Sequence, residues 1–169
     1  MNNILIVVDF QNDFVTGPLG TSEAVALIPK IEKYVKECAG NFYQVIFTKD
    51  SHNDFYPFTI EGQYIPEHCI YDTKGREIVN NLDRGFFYDI LNKDTFGYLK
   101  WNVALFNSPD IIEIIGVCTD ICVISNALIL RSTFPRARII VHSDLCAGTT
   151  PEKHKAALEV MKSCLIEVD

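Results

Sequence analysis

Ile4-Leu5-Ile6-Val7-Val8 is five apolar residues in a row, four of them β-branched. A strand with one wet face alternates apolar and polar residues. An unbroken run fits a strand covered on both faces, as in a parallel sheet. Comparable runs recur at Val45 to Thr48, Phe86 to Leu91, Ile111 to Val117, Arg138 to His142 and Leu165 to Val168. Helical spacing fills the intervals. Ala24, Leu27, Ile28, Ile31, Tyr34 and Val35 follow the capping residues Thr21-Ser22-Glu23 and stop at Gly40. Short helices are expected over Lys74 to Leu82 and within Tyr98 to Asn107, a longer one over Asp120 to Ser132, and a last one opened by Pro151. This alternation predicts an α/β fold: a three-layer α-β-α arrangement around a mostly parallel six-stranded sheet, with Leu165 to Val168 at an edge. No repeat, low-complexity stretch or linker interrupts it, so residues 1–169 read as one domain.

A net charge of -7 argues against nucleic-acid binding and against a polybasic membrane surface. No apolar run approaches the length of a membrane span. Met1-Asn2-Asn3 lacks the basic residues of a secretory leader, and the apolar run behind it is short. The six cysteines form no CxxC pair and sit mostly in apolar, strand-like contexts. They read as reduced cysteines of a cytoplasmic protein.

In a parallel sheet every strand points the same way, and ligands bind beyond the carboxyl ends. Asp9 ends the first strand, Asp50 and His52 the second, Lys93 the third, and Cys122 follows the fourth. One rim thus collects a carboxylate, a metal-capable pair, an amine and a thiol. Cys122 lies in Gly116-Val117-Cys118-Thr119-Asp120-Ile121-Cys122-Val123, where a strand turns into a helix. Free backbone N–H groups and the helix dipole there favour thiolate, the nucleophilic form. Asp9 can take the thiol proton, and a cationic Lys93 would keep the aspartate ionised. The plainer reading makes Asp9 and Lys93 an ion pair beside a buried cysteine. Asp50-x-His52, with Glu61 and His68 in the following loop, offers two histidines and two carboxylates suited to zinc, manganese or iron. Cys69 is adjacent, but Ile70 beside it suggests a core role. His142 ends the fifth strand, as a substrate contact or a hydrogen-bonded structural histidine. His154, on a helix, is expected to face solvent.

Five pieces in order carry a resemblance: Val8 to Phe14, Thr48-Lys49-Asp50-Ser51-His52, Pro66-Glu67-His68-Cys69, Lys93-Asp94-Thr95-Phe96-Gly97 and Gly116 to Val123. The chain resembles the isochorismatase-like cysteine hydrolases, nicotinamidase-like branch. The resemblance implies a triad of Asp9, Lys93 and Cys122. It implies an oxyanion hole from the backbone N–H groups of Cys118 and Cys122, and a cis peptide at Val117-Cys118. It further implies a divalent metal, zinc first and manganese or iron next, on Asp50, His52, Glu61 and His68, with Phe14 lining the ring pocket. The expected reaction cleaves a small primary amide, nicotinamide first, to acid and ammonia through a cysteine thioester. Self-association is expected at the level of the family. Cys122 argues against isochorismatase activity itself, since true isochorismatases lack the cysteine and the metal. Ile65 stands where many nicotinamidases have tryptophan, and Tyr71-Asp72-Thr73 replaces a more usual Gly-Thr turn. The alternatives are a metal-free hydrolase of another small amide or carbamoyl compound, and a non-catalytic zinc-binding or redox module.

Overall fold

The computed structural model describes residues 2–41, 43–79, 82 and 85–169. Its strands are β1 (Asn3–Val8), β2 (Gln44–Asp50), β3 (Tyr88–Lys93), β4 (Ile111–Val117), β5 (Arg138–Ala147) and β6 (Glu167–Val168). Helices α1 (Asn12–Val15), α2 (Ser22–Gly40), α3 (Trp101–Ala104), α4 (Ile124–Thr133) and α5 (Pro151–Ser163) lie between them. The sheet order is β3-β2-β1-β4-β5-β6 and every pairing is parallel. The α/β expectation holds, with the sheet wholly rather than mostly parallel.

The unbroken apolar runs follow from this topology. Along β1, Ile4, Ile6 and Val8 enter the core beneath α4 and α5, whereas Leu5 and Val7 enter the core beneath α2. Leu27, Ile31 and Val35 of α2 close one face. Ala127, Leu130, Leu158 and Met161 close the other. The Thr21 cap forms as the sequence suggests, accepting from the Ala24 N–H, and the helix opened by Pro151 is capped by Thr150, which accepts from the Lys153 N–H. No helix among the described residues is long and apolar enough to cross a membrane.

Several boundaries move. The expected helix from Lys74 to Leu82 is a 3-10 turn at Lys74–Arg76. The Asn12 and Val79 N–H groups bond to the carbonyls of Glu77 and Phe10, so this segment pairs back onto the first loop instead. Its Asn80 and Asn81 lie outside the described residues. β3 starts at Tyr88, leaving Phe87 fully exposed. β5 continues past His142 to Ala147, with a register shift opposite Ile114 and Gly116. Leu165 takes a φ of 60° and is exposed, which cuts β6 to two residues.

His142 is therefore inside a strand rather than at its end, and the structural reading of it holds. Its Nε2 faces Glu113 Oε2 at 2.8 Å and its Nδ1 faces Asp169 Oδ2 at 2.8 Å. Tyr34 and Tyr43 both donate to the Glu113 carboxylate. Burial opposes charge on Glu113, but His142 and the tyrosines hold its carboxyl down at about 2. Burial also opposes charge on His142, and Glu113 with Asp169 keeps it above its ordinary value. The depressed carboxyl contributes stability that is present above pH 4.5 and lost as pH falls toward about 2. The raised histidine contributes stability that is full below pH 6.5 and lost as pH rises through its folded value. In urea melts, His142→Gln should be most destabilised relative to wild type between these limits. The gap should narrow as pH rises above neutrality.

Candidate active site

Strand order places the site. From β1 the chain steps outward to β2 and β3. It then returns to β4 on the other side of β1 and steps outward to β5 and β6. The crevice where the order reverses lies beyond β1 and β4. Asp9 follows β1 directly, with a φ of 46°. Its N–H bonds to the Thr48 carbonyl at 3.2 Å, and its carboxylate accepts from Thr48 Oγ1 at 2.6 Å. Opposite, Gly116 has a φ of 119°, and a Cβ there would meet the Val8 carbonyl oxygen at 2.2 Å. Only glycine lets β4 pass this close to the base of Asp9. Lys93 is the last residue of β3. Its Nζ lies 2.6 Å from Asp9 Oδ2, 3.2 Å from Asp50 Oδ1 and 3.8 Å from Cys122 Sγ. Asp9, Lys93 and Cys122 are all buried.

Cys122 belongs to a π-helical turn, Thr119–Val123, that precedes α4. The Cys118 carbonyl accepts from the Ile121 and Val123 N–H groups, and the Val117-Cys118 peptide is cis. The thiol departs from the expectation that the helix start would favour thiolate. Burial pushes it well above its ordinary value, and Lys93 offsets this only in part against the charges of Asp9 and Asp50. Burial also raises the Asp9 carboxyl, against the pull of Lys93. The amine of Lys93 stays charged: burial disfavours the charge, but Asp9, Cys122 and Asp50 together outweigh it. The resting pair is thus a thiol beside a carboxylate that binds protons more readily than an exposed one.

The four metal-capable residues also meet. One ligand atom from each of Asp50, His52, Glu61 and His68 lies within 4.8 Å of all the others. Asp50 Oδ2 is 3.0 Å from His52 Nε2 and 3.2 Å from His68 Nε2, and Glu61 Oε1 is 3.5 Å from His68 Nε2. The His68 Nδ1 faces the Pro66 carbonyl at 2.8 Å. A proton on Nδ1 leaves the Nε2 lone pair aimed at a carboxylate, an arrangement that calls for a cation between them. Two imidazoles and two carboxylates in this spacing fit a divalent ion. Cys69 is outside this group: its thiol is in the core, as its neighbour suggested, and its N–H bonds to Asp13 Oδ2 at 2.7 Å. His154 is half-buried rather than solvent-facing, its Nδ1 lying 2.8 Å from Thr119 Oγ1.

Two supporting amides escape a reading based on charge and nucleophilicity. Gln11 is fully buried; its Oε1 accepts from the Asp50 N–H at 2.8 Å and its Nε2 donates to the Asp50 carbonyl at 2.9 Å. Asn126 donates to the Cys122 carbonyl at 2.8 Å and accepts from Tyr98 N–H and Trp101 Nε1. Their signal in the sequence is a carboxamide placed just after a strand end or one helical turn past a cysteine. Gln11→Leu removes both contacts that aim Asp50. Titration calorimetry with Zn²⁺ should show affinity about 10-fold weaker or worse, as for lost supporting contacts at metal sites.

A cavity of about 400 Å³ opens onto Cys122, Asp50 and His68. Phe14, Phe96 and Ile65 line it, together with Cys118 and Ile121. The Phe14 ring centroid is 5.1 Å from that of His68.

The family model of the isochorismatase domain matches residues 3–168. The nicotinamidase/pyrazinamidase of Mycobacterium tuberculosis is 29% identical, covering 97% of this chain and 96% of that one. The pyrazinamidase of Pyrococcus horikoshii, solved in complex with zinc, superposes with a TM-score of 0.88 at 28% identity, over 100% of this chain and 99% of that one. The N-carbamoylsarcosine amidase of Thermoplasma acidophilum superposes with a TM-score of 0.82 at 25% identity, over 100% and 96%.

Proposed function

The chain belongs to the isochorismatase domain family, and from that premise we propose that it is a nicotinamidase-like cysteine amidohydrolase with Asp9, Lys93 and Cys122 as its catalytic triad. The observation that carries the reading is Lys93 Nζ reaching both Asp9 and Cys122 inside a buried crevice that opens on a cavity. Asp9 takes the thiol proton as the sulfur attacks the amide carbonyl carbon. Coupling the two events suits a thiol that burial keeps protonated at rest. Lys93 holds Asp9 in place and offsets the negative charge passing through the site. The oxyanion is assigned to the backbone N–H groups of Cys118 and Cys122. Collapse breaks the C–N bond, and Asp9 returns its proton to the departing amine, which leaves as ammonia. Water then adds to the thioester with Asp9 as base, releasing the acid and restoring the thiol.

Asp50, His52, Glu61 and His68 would hold the divalent ion, and zinc is proposed because the Pyrococcus relative was solved with it. A bound ion supplies a Lewis-acidic contact for a ring nitrogen of the substrate. Phe14, beside His68, is proposed to line the ring pocket. Nicotinamide is the proposed substrate, supported by the relatives named for it and by this nitrogen-seeking site beside the nucleophile. Residues 1–169 are read as one domain, supported by the extent of the family match. Six free cysteines support a reducing, cytoplasmic setting. The exposed apolar side chains of Leu99, Val103 and Phe106 support self-association, which sedimentation would measure.

The test is ammonia release from nicotinamide by zinc-loaded protein, with mass spectrometry of the quenched reaction for an acyl adduct on Cys122. Turnover with that adduct is the expected result. Full turnover after exhaustive chelation would favour the metal-free alternative, and absence of turnover on any primary amide would overturn the reading.

A further inference from the structure

The charges around the cavity nearly cancel. Asp50 and Glu61 line it, and the divalent ion their cluster fits would balance both. Behind the thiol, Asp9 is balanced by Lys93. One cation is left over. Lys153 lines the same cavity, and no carboxylate among the described residues forms an ion pair with it. Asp120, which lines an adjoining cleft together with Lys153, has its two oxygens engaged by the Thr149 N–H at 2.7 Å and the Thr149 hydroxyl at 2.6 Å.

Topology fixes where this cation stands. Lys153 is in the first turn of α5, held there by the Thr150 cap, and α5 follows the end of β5. The metal-capable cluster begins at the end of β2. The nucleophile follows β4, between β2 and β5 in the sheet. A ligand whose carbonyl sits at Cys122 therefore has the metal-capable residues on one flank and Lys153 on the other. The volume of about 400 Å³ lies within the range that accommodates ligands larger than a bare single-ring amide.

We propose that Lys153 forms an anion subsite at the mouth of this cavity, so that the site favours primary amides carrying a second, negatively charged substituent across the molecule from the metal-seeking atom. The inference rests on the amidohydrolase reading for its reaction but not for its binding. A neutral amide makes no use of the subsite. A carboxylate-bearing amide gains an ion pair in a partly enclosed setting, where a point charge on a flexible stem suits a carboxylate of varied reach.

The probes are dinicotinic acid monoamide and its methyl ester, which differ by one negative charge on the same ring. With zinc-loaded wild type, kcat/KM should be higher for the monoamide. Lys153→Gln should lower the monoamide-to-ester ratio about 5-fold, the scale of one solvent-accessible ion pair. Lys153→Glu should lower it further, and raised salt should shrink the effect. A ratio equal in wild type and Lys153→Gln, or two substrates falling together, overturns the subsite. Titration calorimetry with dinicotinate, which has no amide to cleave, separates this from failure of the reaction. Weaker binding to Lys153→Gln than to wild type supports the subsite even without turnover. Equal binding, or none to either, overturns it.

Discussion

Cys122→Ala should abolish ammonia release, with kcat reduced at least 10,000-fold, the scale seen when a covalent nucleophile is removed. Among the described residues no other thiol holds the position. The Cys69 thiol is in the core, and Cys118 sits at the mouth of the turn without the Lys93 contact that Cys122 makes. Burial lifts the Cys118 thiol to about 12. The substitution is conservative for the fold, because Cys122 packs as a small side chain among Val123, Ala127 and their neighbours in the core beneath α4. Its melting temperature should stay close to wild type, and zinc binding should survive, which separates lost chemistry from lost structure. Asp9→Asn should fail almost as completely. It removes the proposed proton acceptor and leaves the Lys93 charge buried without its 2.6 Å partner. Circular dichroism and melting therefore matter more for that variant than for Cys122→Ala.

How much of this the sequence disclosed depended on what kind of information each residue carries. The strand runs were legible because burial on both faces abolishes alternation, and β1 divides its side chains between two cores as that requires. Once the strands were parallel, Asp9, Asp50, Lys93 and Cys122 had to share a rim, since direction alone decides which end of a strand is which. The metal-capable set was legible as chemistry, but its convergence was not. Glu61 and His68 come from an irregular loop whose path depends on contacts such as the Cys69 N–H with Asp13. Gln11 and Asn126 were invisible because a carboxamide's role lies wholly in which backbone groups face it. The thiol was misjudged for a related reason. A helix start is a local feature that favours thiolate, whereas full burial is a tertiary one that opposes it, and here burial dominates. Lys74 to Leu82 failed as a helix because the carbonyl of Glu77 and the N–H of Val79 found partners in the first loop. Helical propensity over so short a stretch is a small effect beside such pairing.

Removing the metal is expected to lower the melting temperature as well as the activity. The reason lies in how much charge the empty cluster leaves facing itself. Asp50 and Glu61 approach the same two imidazoles, with His68 Nε2 at 3.2 Å from one carboxylate and 3.5 Å from the other. Asp50 is shared: Oδ2 faces the histidines while Oδ1 accepts from Lys93. A divalent ion binds the folded arrangement and has no comparable site in the unfolded chain, so it stabilises by mass action. Free metal at about 1,000 times its dissociation constant contributes roughly 4 kcal/mol. For a chain of this size that corresponds to a rise of about 10 °C in melting temperature. Protein stripped with a strong chelator and then titrated with Zn²⁺ in differential scanning fluorimetry should recover that shift at a stoichiometry of one. Zinc-loaded Cys122→Ala should show the same shift, because its thiol is no ligand. His68→Ala should lose most of it, since it takes away one nitrogen and leaves Asp50 and Glu61 less well balanced. A shift that persists undiminished in His68→Ala would place the metal elsewhere and would detach the ring-nitrogen contact from the nucleophile's neighbourhood. A shift absent from wild type would leave the triad standing and point to the metal-free amidase instead.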